Sequence, residues 1–128
     1  MERKTFMLTD EQRVRREAQT RLAEEVRSML HQNERERLHW TGTTTDLMEA
    51  LHVAFDTGLL TNDEGDPMSF MQIVRQACRI LHHRMPGNPY DAAMRGTRRK
   101  GVLRHNYADR YCYLLGTGHE QPFFDCIV

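Results

Sequence analysis

Thr9-Asp10-Glu11-Gln12-Arg13-Val14 opens the stretch that decides the fold, and it runs on to Glu25-Val26-Arg27-Ser28-Met29-Leu30. Thr9 can cap a helix, Gln12 completes a capping box, and Asp10 and Glu11 suit the positive end of a helix dipole. Val14, Ala18, Leu22, Val26, Met29 and Leu30 recur every three or four residues, the stripe of an amphipathic helix. Arg13, Glu17, Arg21 and Glu25 form opposite-charge neighbours four residues apart, which reads as a solvated face. No Gly or Pro interrupts before Gly42. A helix from 9 to 38 would be about 45 Å long, against a domain roughly 36 Å across. That mismatch predicts an overhang, a bend or a second copy, and a homodimer through this helix is the expected outcome.

The same reading continues outward. A threonine of Thr43-Thr44-Thr45 caps a second helix, with Leu47, Ala50, Leu51, Ala54 and Phe55 inward and Glu49, His52 and Asp56 outward. Gly58 stops it, Leu59-Leu60-Thr61 allows a short strand, and residues 62–67 form a turn. Ser69 and Gln72 box a third helix with Phe70, Ile73, Val74, Ala77, Ile80 and Leu81 inward, ended by Pro86-Gly87. Asn88-Pro89 starts a fourth, interrupted at Gly96. Leu103, Tyr107, Tyr111, Leu114 and Leu115 mark a fifth, ending at Gly116. Phe123, Phe124, Ile127 and Val128 form either a docking strand or a plug for the core. The expected fold is mostly α, with about five helices and at most two or three short strands. Its parts are an amphipathic helix over 1–38, a helical module over 39–116 and a tail over 117–128.

With 128 residues, 39% hydrophobic and 28% charged, the chain supports one folded core. No apolar run reaches the roughly 18 residues of a membrane helix, so no membrane partner is expected. No secretory leader pattern opens the chain. Cys78, Cys112 and Cys126 are an odd set at scattered spacings, which favours a reducing cytoplasm over a disulfide framework.

Net charge is zero but uneven. Residues 39–66 carry six acids and no Lys or Arg, while residues 67–110 carry nine Lys and Arg against two acids. Sixteen of the eighteen basic residues are arginine, whose planar fork suits phosphate oxygens and guanine edges. Chemistry motifs fail in turn. The acidic turn lacks an Asp at the first calcium position and a Glu at the twelfth. Cys78 and His82 have a metal-compatible spacing but no second pair, so a core cysteine is expected. His82 and His83 could act as bases but have no placed nucleophile. No enzyme, cofactor or metal is expected.

Leu38-His39-Trp40-Thr41-Gly42-Thr43-Thr44-Thr45-Asp46-Leu47-Met48-Glu49-Ala50-Leu51 resembles the "Trp-Thr-Gly-Ser, then Leu-x-Glu" opening of the RteC family, regulators of bacterial conjugative transposons. Gly58-Leu59-Leu60-Thr61-Asn62 and the basic stretch through Arg95, Arg98, Arg99 and Arg104 extend the likeness over residues 38–115. The resemblance implies a winged-helix or helix-turn-helix DNA-binding module and a role in transcription or excision control. The chain departs from it in having one helix before Trp40 and no clear strand pair for a wing. Together, basic patch and resemblance point to double-stranded DNA. Arg98, Arg99, Lys100 and Arg104 form the expected contact set, with Arg75, Arg79 and Arg95 clamping phosphates. The alternative is a helical protein–protein interaction module. The acidic and basic blocks discriminate: covering each other they remove the DNA surface, and lying apart they leave it open.

Overall fold

The computed structural model describes residues 9–99 and 105–128. The first helix, α1, spans Asp10–Leu30 and begins with the Thr9–Gln12 capping box. It ends eight residues earlier than the sequence suggests. His31 closes it, a 3-10 turn follows at Glu34–Glu36, and Arg37 takes a left-handed conformation with φ of 56°. Its 21 residues make about 32 Å, which does not outrun the body. Ala18, Leu22, Val26 and Met29 are buried against the rest of the core, each large one contributing about 1.5–3 kcal/mol. The overhang is therefore gone as a ground for pairing through α1, and most of its apolar stripe is covered. Val14, assigned to the stripe, is 55% exposed, and Glu25, assigned to the solvated face, is buried.

Helix α2, Thr44–Asp56, is capped by the Thr43 hydroxyl and sits at the centre of the fold. Helices α3 (Phe70–Ile80), α4 (Pro89–Thr97) and α5 (Tyr107–Gly116) pack on it, as does α1. The capping box of Ser69 and Gln72, and Asn88 with Pro89 at the first turn, start α3 and α4 where expected. Helix α3 stops at Leu81, before Pro86-Gly87, because His82 turns left-handed (φ 49°) and the His83 N–H bonds back to the Cys78 carbonyl. Gly96 does not interrupt α4. It lies inside the helix, and a side chain is absent there because a Cβ would meet Glu49 Oε1 at 2.7 Å.

The mostly α fold is as expected. Among the described residues no strand pair forms, only the isolated antiparallel bridges Trp40–Ile127 and Thr61–Pro67, so no wing is present among them. No described helix is long and apolar enough to cross a membrane. The tail is both plug and strap. Phe123 is fully buried, while His39 and Val128 exchange backbone hydrogen bonds and Thr41 N–H donates to the Cys126 carbonyl.

Trp40 joins these parts. Its ring lies 5.2 Å from Phe123 and 6.3 Å from Tyr107, and its indole N–H donates to the Thr43 carbonyl at 2.9 Å. The ring also presses on Gly42, since a Cβ there would sit 2.9 Å from Nε1. The Trp-Thr-Gly run is thus a local lock on the entry to α2.

Candidate nucleic-acid interface

The acidic and basic blocks meet at one buried carboxylate. Asp46, in the first turn of α2, is 5% exposed and takes Arg99 at 3.3 Å and Arg110 at 2.6 Å on the same oxygen, Oδ1. Arg110 also lies over the Tyr107 ring, 5.7 Å from its centroid. Arg99 leaves the end of α4 and Arg110 lies on α5, so this cluster ties three helices together. Of the other acids in the block, Glu49 is fully buried, Asp56 faces His52 at 3.4 Å, and Asp63, Glu64 and Asp66 are exposed in the turn.

The seven expected contact residues separate accordingly. Arg99 is half-buried in the Asp46 cluster, and Arg95 is exposed but bound to Asp91 at 2.9 Å one turn earlier. Lys100 and Arg104 lie outside the described residues. Arg75, Arg79 and Arg98 are exposed and have no carboxylate within ion-pair distance among the described residues. Arg75 and Arg79 stand one turn apart on the outer side of α3, opposite its buried Ile73, Val74 and Ala77. The structure does not gather the seven into one described patch, because α3 and α4 each pack on α2 rather than side by side.

Further cations escaped the sequence reading. Arg84 is exposed just past α3, and Arg35 and Arg37 are exposed on the 3-10 turn beside it, interleaved with Glu34 and Glu36. The His82 ring fixes this arrangement: its Nε2 meets the Glu34 carbonyl at 2.8 Å, and it lies 5.5 Å from the His39 ring. Residues 34–38 read as a continuation of the first helix, so nothing local announced that they fold back toward α3.

The two histidines considered as bases have structural partners. His83 Nε2 and the Thr44 hydroxyl share a 3.0 Å hydrogen bond, and burial holds the His83 imidazole below its usual pKa. Cys78 is a core residue whose thiol is pushed up to about 11 by burial. Among the described residues no three His, Cys, Asp or Glu side chains gather to hold a metal. No protein-family model matches the chain, and no curated protein or solved structure matches it either.

Proposed function

We propose that the chain is a DNA-binding regulatory protein of a mobile genetic element, similar to the RteC family, which contacts phosphates through the outer side of α3 and the end of α4. The observation that carries this reading is the pair Arg75 and Arg79, exposed and without a carboxylate partner among the described residues. Arg98 joins them on the same grounds. Arginines not committed to a carboxylate within the protein can neutralise phosphates at little structural cost. The regulatory role rests on the resemblance of residues 38–115 alone. The residues that carry that resemblance most sharply, Trp40, Gly42, Asp46 and Glu49, hold the fold together, so they bear on architecture more than on a binding face.

Binding to a DNA duplex measured at two salt concentrations tests the reading. With the three phosphate contacts of Arg75, Arg79 and Arg98 the log–log slope is about −3, and Arg75→Ala with Arg79→Ala flattens it by about two units. Both side chains are exposed, so the double variant keeps its fold. Absence of binding at low salt ends the DNA reading, and an unchanged slope moves the contact away from α3. By contrast, replacing Arg98, Arg99 and Lys100 together lowers stability as well, because Arg99 is a partner of Asp46.

A second copy is the competing reading. A largely apolar cleft of about 760 Å³ between α1 and α5 is bordered by Val14 and Tyr113, which are 55% and 70% exposed. Sedimentation at micromolar concentration separates the two: a clean monomer removes the dimer.

A further inference from the structure

Four rings converge on the C-terminal half of α2. The His52 imidazole stands at their centre, with ring centroids 5.0 Å from Phe70, 5.4 Å from Tyr90 and 5.7 Å from Phe55. Phe55 and Phe70 are 5.9 Å apart. Phe70 is buried and roots the cluster in the core, Phe55 is half-buried, and Tyr90 is 56% exposed. Tyr90 meets His52 edge-on, at 71°, so its ring is held in place by a neighbour while more than half of it remains open to solvent.

Two carboxylates adjoin these rings, and one of them is already paired with an arginine. Asp56 directly follows Phe55, has a side chain 64% exposed, and has only His52 Nδ1 as an ion-pair partner among the described residues. Asp91 directly follows Tyr90 and holds Arg95. Residues 38–74 contain no Lys or Arg, while Asp63, Glu64 and Asp66 are exposed in the turn after α2. Asp56, exposed beside the rings, disfavours a nucleic-acid phosphate there. A cation gains twice: the negative face of an aromatic ring attracts it, and a nearby carboxylate accepts its N–H groups.

We propose that this face docks an arginine or lysine side chain from a basic segment of a partner protein, with the guanidinium or ammonium on the Tyr90 ring and its N–H groups toward Asp56. Asp56 is solvated in the unbound protein and its only ion-pair partner among the described residues is an imidazole at 3.4 Å, so little internal structure is lost when a cation takes it. His52 acts as a positioning residue, setting the tilt of the Tyr90 ring. This surface is independent of the arginines on α3, and its test does not depend on DNA binding.

The full chain is titrated with a synthetic peptide of four arginines spaced by alanines, and with the same peptide carrying glutamine for arginine. Ring signals of Tyr90 are followed by NMR. The arginine peptide is expected to shift the Tyr90 ring signals and the glutamine peptide to leave them in place. Tyr90→Ala weakens the arginine peptide by about five-fold, the size of an exposed cation–π contact, and Tyr90→Phe retains binding. Asp56→Asn weakens it several-fold, and Arg75→Ala with Arg79→Ala leaves it unchanged. Tyr90 and Asp56 are exposed, so these variants keep their fold, which unchanged core NMR signals verify. Equal binding of the glutamine peptide, equal binding by Tyr90→Ala, or an arginine peptide that leaves Tyr90 unmoved at millimolar concentration each overturns the proposal.

Discussion

Glu25 on α1 and Glu49 on α2 are both buried carboxylates that accept backbone N–H groups from a distant segment, but they secure different parts of the chain. Glu49 takes the N–H groups of Tyr107 at 2.9 Å and Ala108 at 3.1 Å, which begin α5. Gly96 presses against the same carboxylate, so α2, α4 and α5 share one anchor. Glu25 takes the Phe124 N–H at 3.0 Å and the Phe123 N–H at 3.4 Å, together with the Tyr111 hydroxyl. Its donors are the tail and Tyr111 of α5, so it fastens the last segment to the bundle. A buried acceptor therefore matters in proportion to what its donors are attached to, more than to its own hydrogen-bond count.

The comparison breaks most visibly at Glu49. Glu49→Ala leaves two N–H groups without an acceptor and a cavity at the centre of the bundle, and its cost is expected at about 3–5 kcal/mol. Chemical denaturation reads this, with amide exchange rising in α2, α4 and α5 together. Glu25→Ala follows, at about 2–3 kcal/mol, since three donors lose their acceptor but two of them can swing toward water. Exchange there rises first in residues 119–128, and equal protection of tail and helices would erase the distinction. Gly96→Ala tests the shared anchor without touching a charge: the new methyl forces Glu49 aside, at about 1–3 kcal/mol. The same change in the Glu49→Ala background costs less, because the contact with Oε1 is gone while Thr45 Cγ2 at 3.0 Å and the Cβ of residue 49 at 3.2 Å remain.

Smallest is the pH effect. Burial raises the pKa of both carboxyls above the usual glutamate value, with the Tyr111 hydroxyl opposing at Glu25 and the backbone N–H groups opposing at Glu49. The folded state then holds more protons than the unfolded one between the two values. The contribution of these two groups is complete below the unfolded value, about 4.3, and is lost as pH rises through the folded values. Denaturation midpoints measured from pH 4 upward carry this decline, and Glu25→Gln and Glu49→Gln each remove one share of it. A decline unchanged in both variants would assign it to other groups.

Much of the fold was legible because it is written locally. Thr9 with Gln12, Ser69 with Gln72, and Asn88 with Pro89 each declare a helix start within four residues, and the structure begins its helices there. The two glutamates were not legible. Each sits four residues from other charged or polar positions, the signature of a solvated face, while its donors lie 58 and 98 residues along the chain. The end of α1 was equally hidden. The Leu30 carbonyl accepts from Gln76 on α3 at 2.8 Å, and no Gly or Pro was needed to stop the helix. At the candidate interface, composition located the basic block but could not distinguish Arg99, committed to Asp46, from Arg98, which has no such partner among the described residues. That distinction depends on which carboxylate α2 turns inward.

Trp40 is the single tryptophan of the chain, and it sits against Phe123 of the tail and Tyr107 of α5. Its fluorescence is consequently a built-in reporter of strap closure. Excited alone, it registers whether the last segment has seated on the core, whereas far-ultraviolet circular dichroism registers the helices. Where both signals change at one denaturant concentration, tail and bundle melt as a unit. Where the emission moves first, the chain has two melting units, and this one indole resolves them without any label.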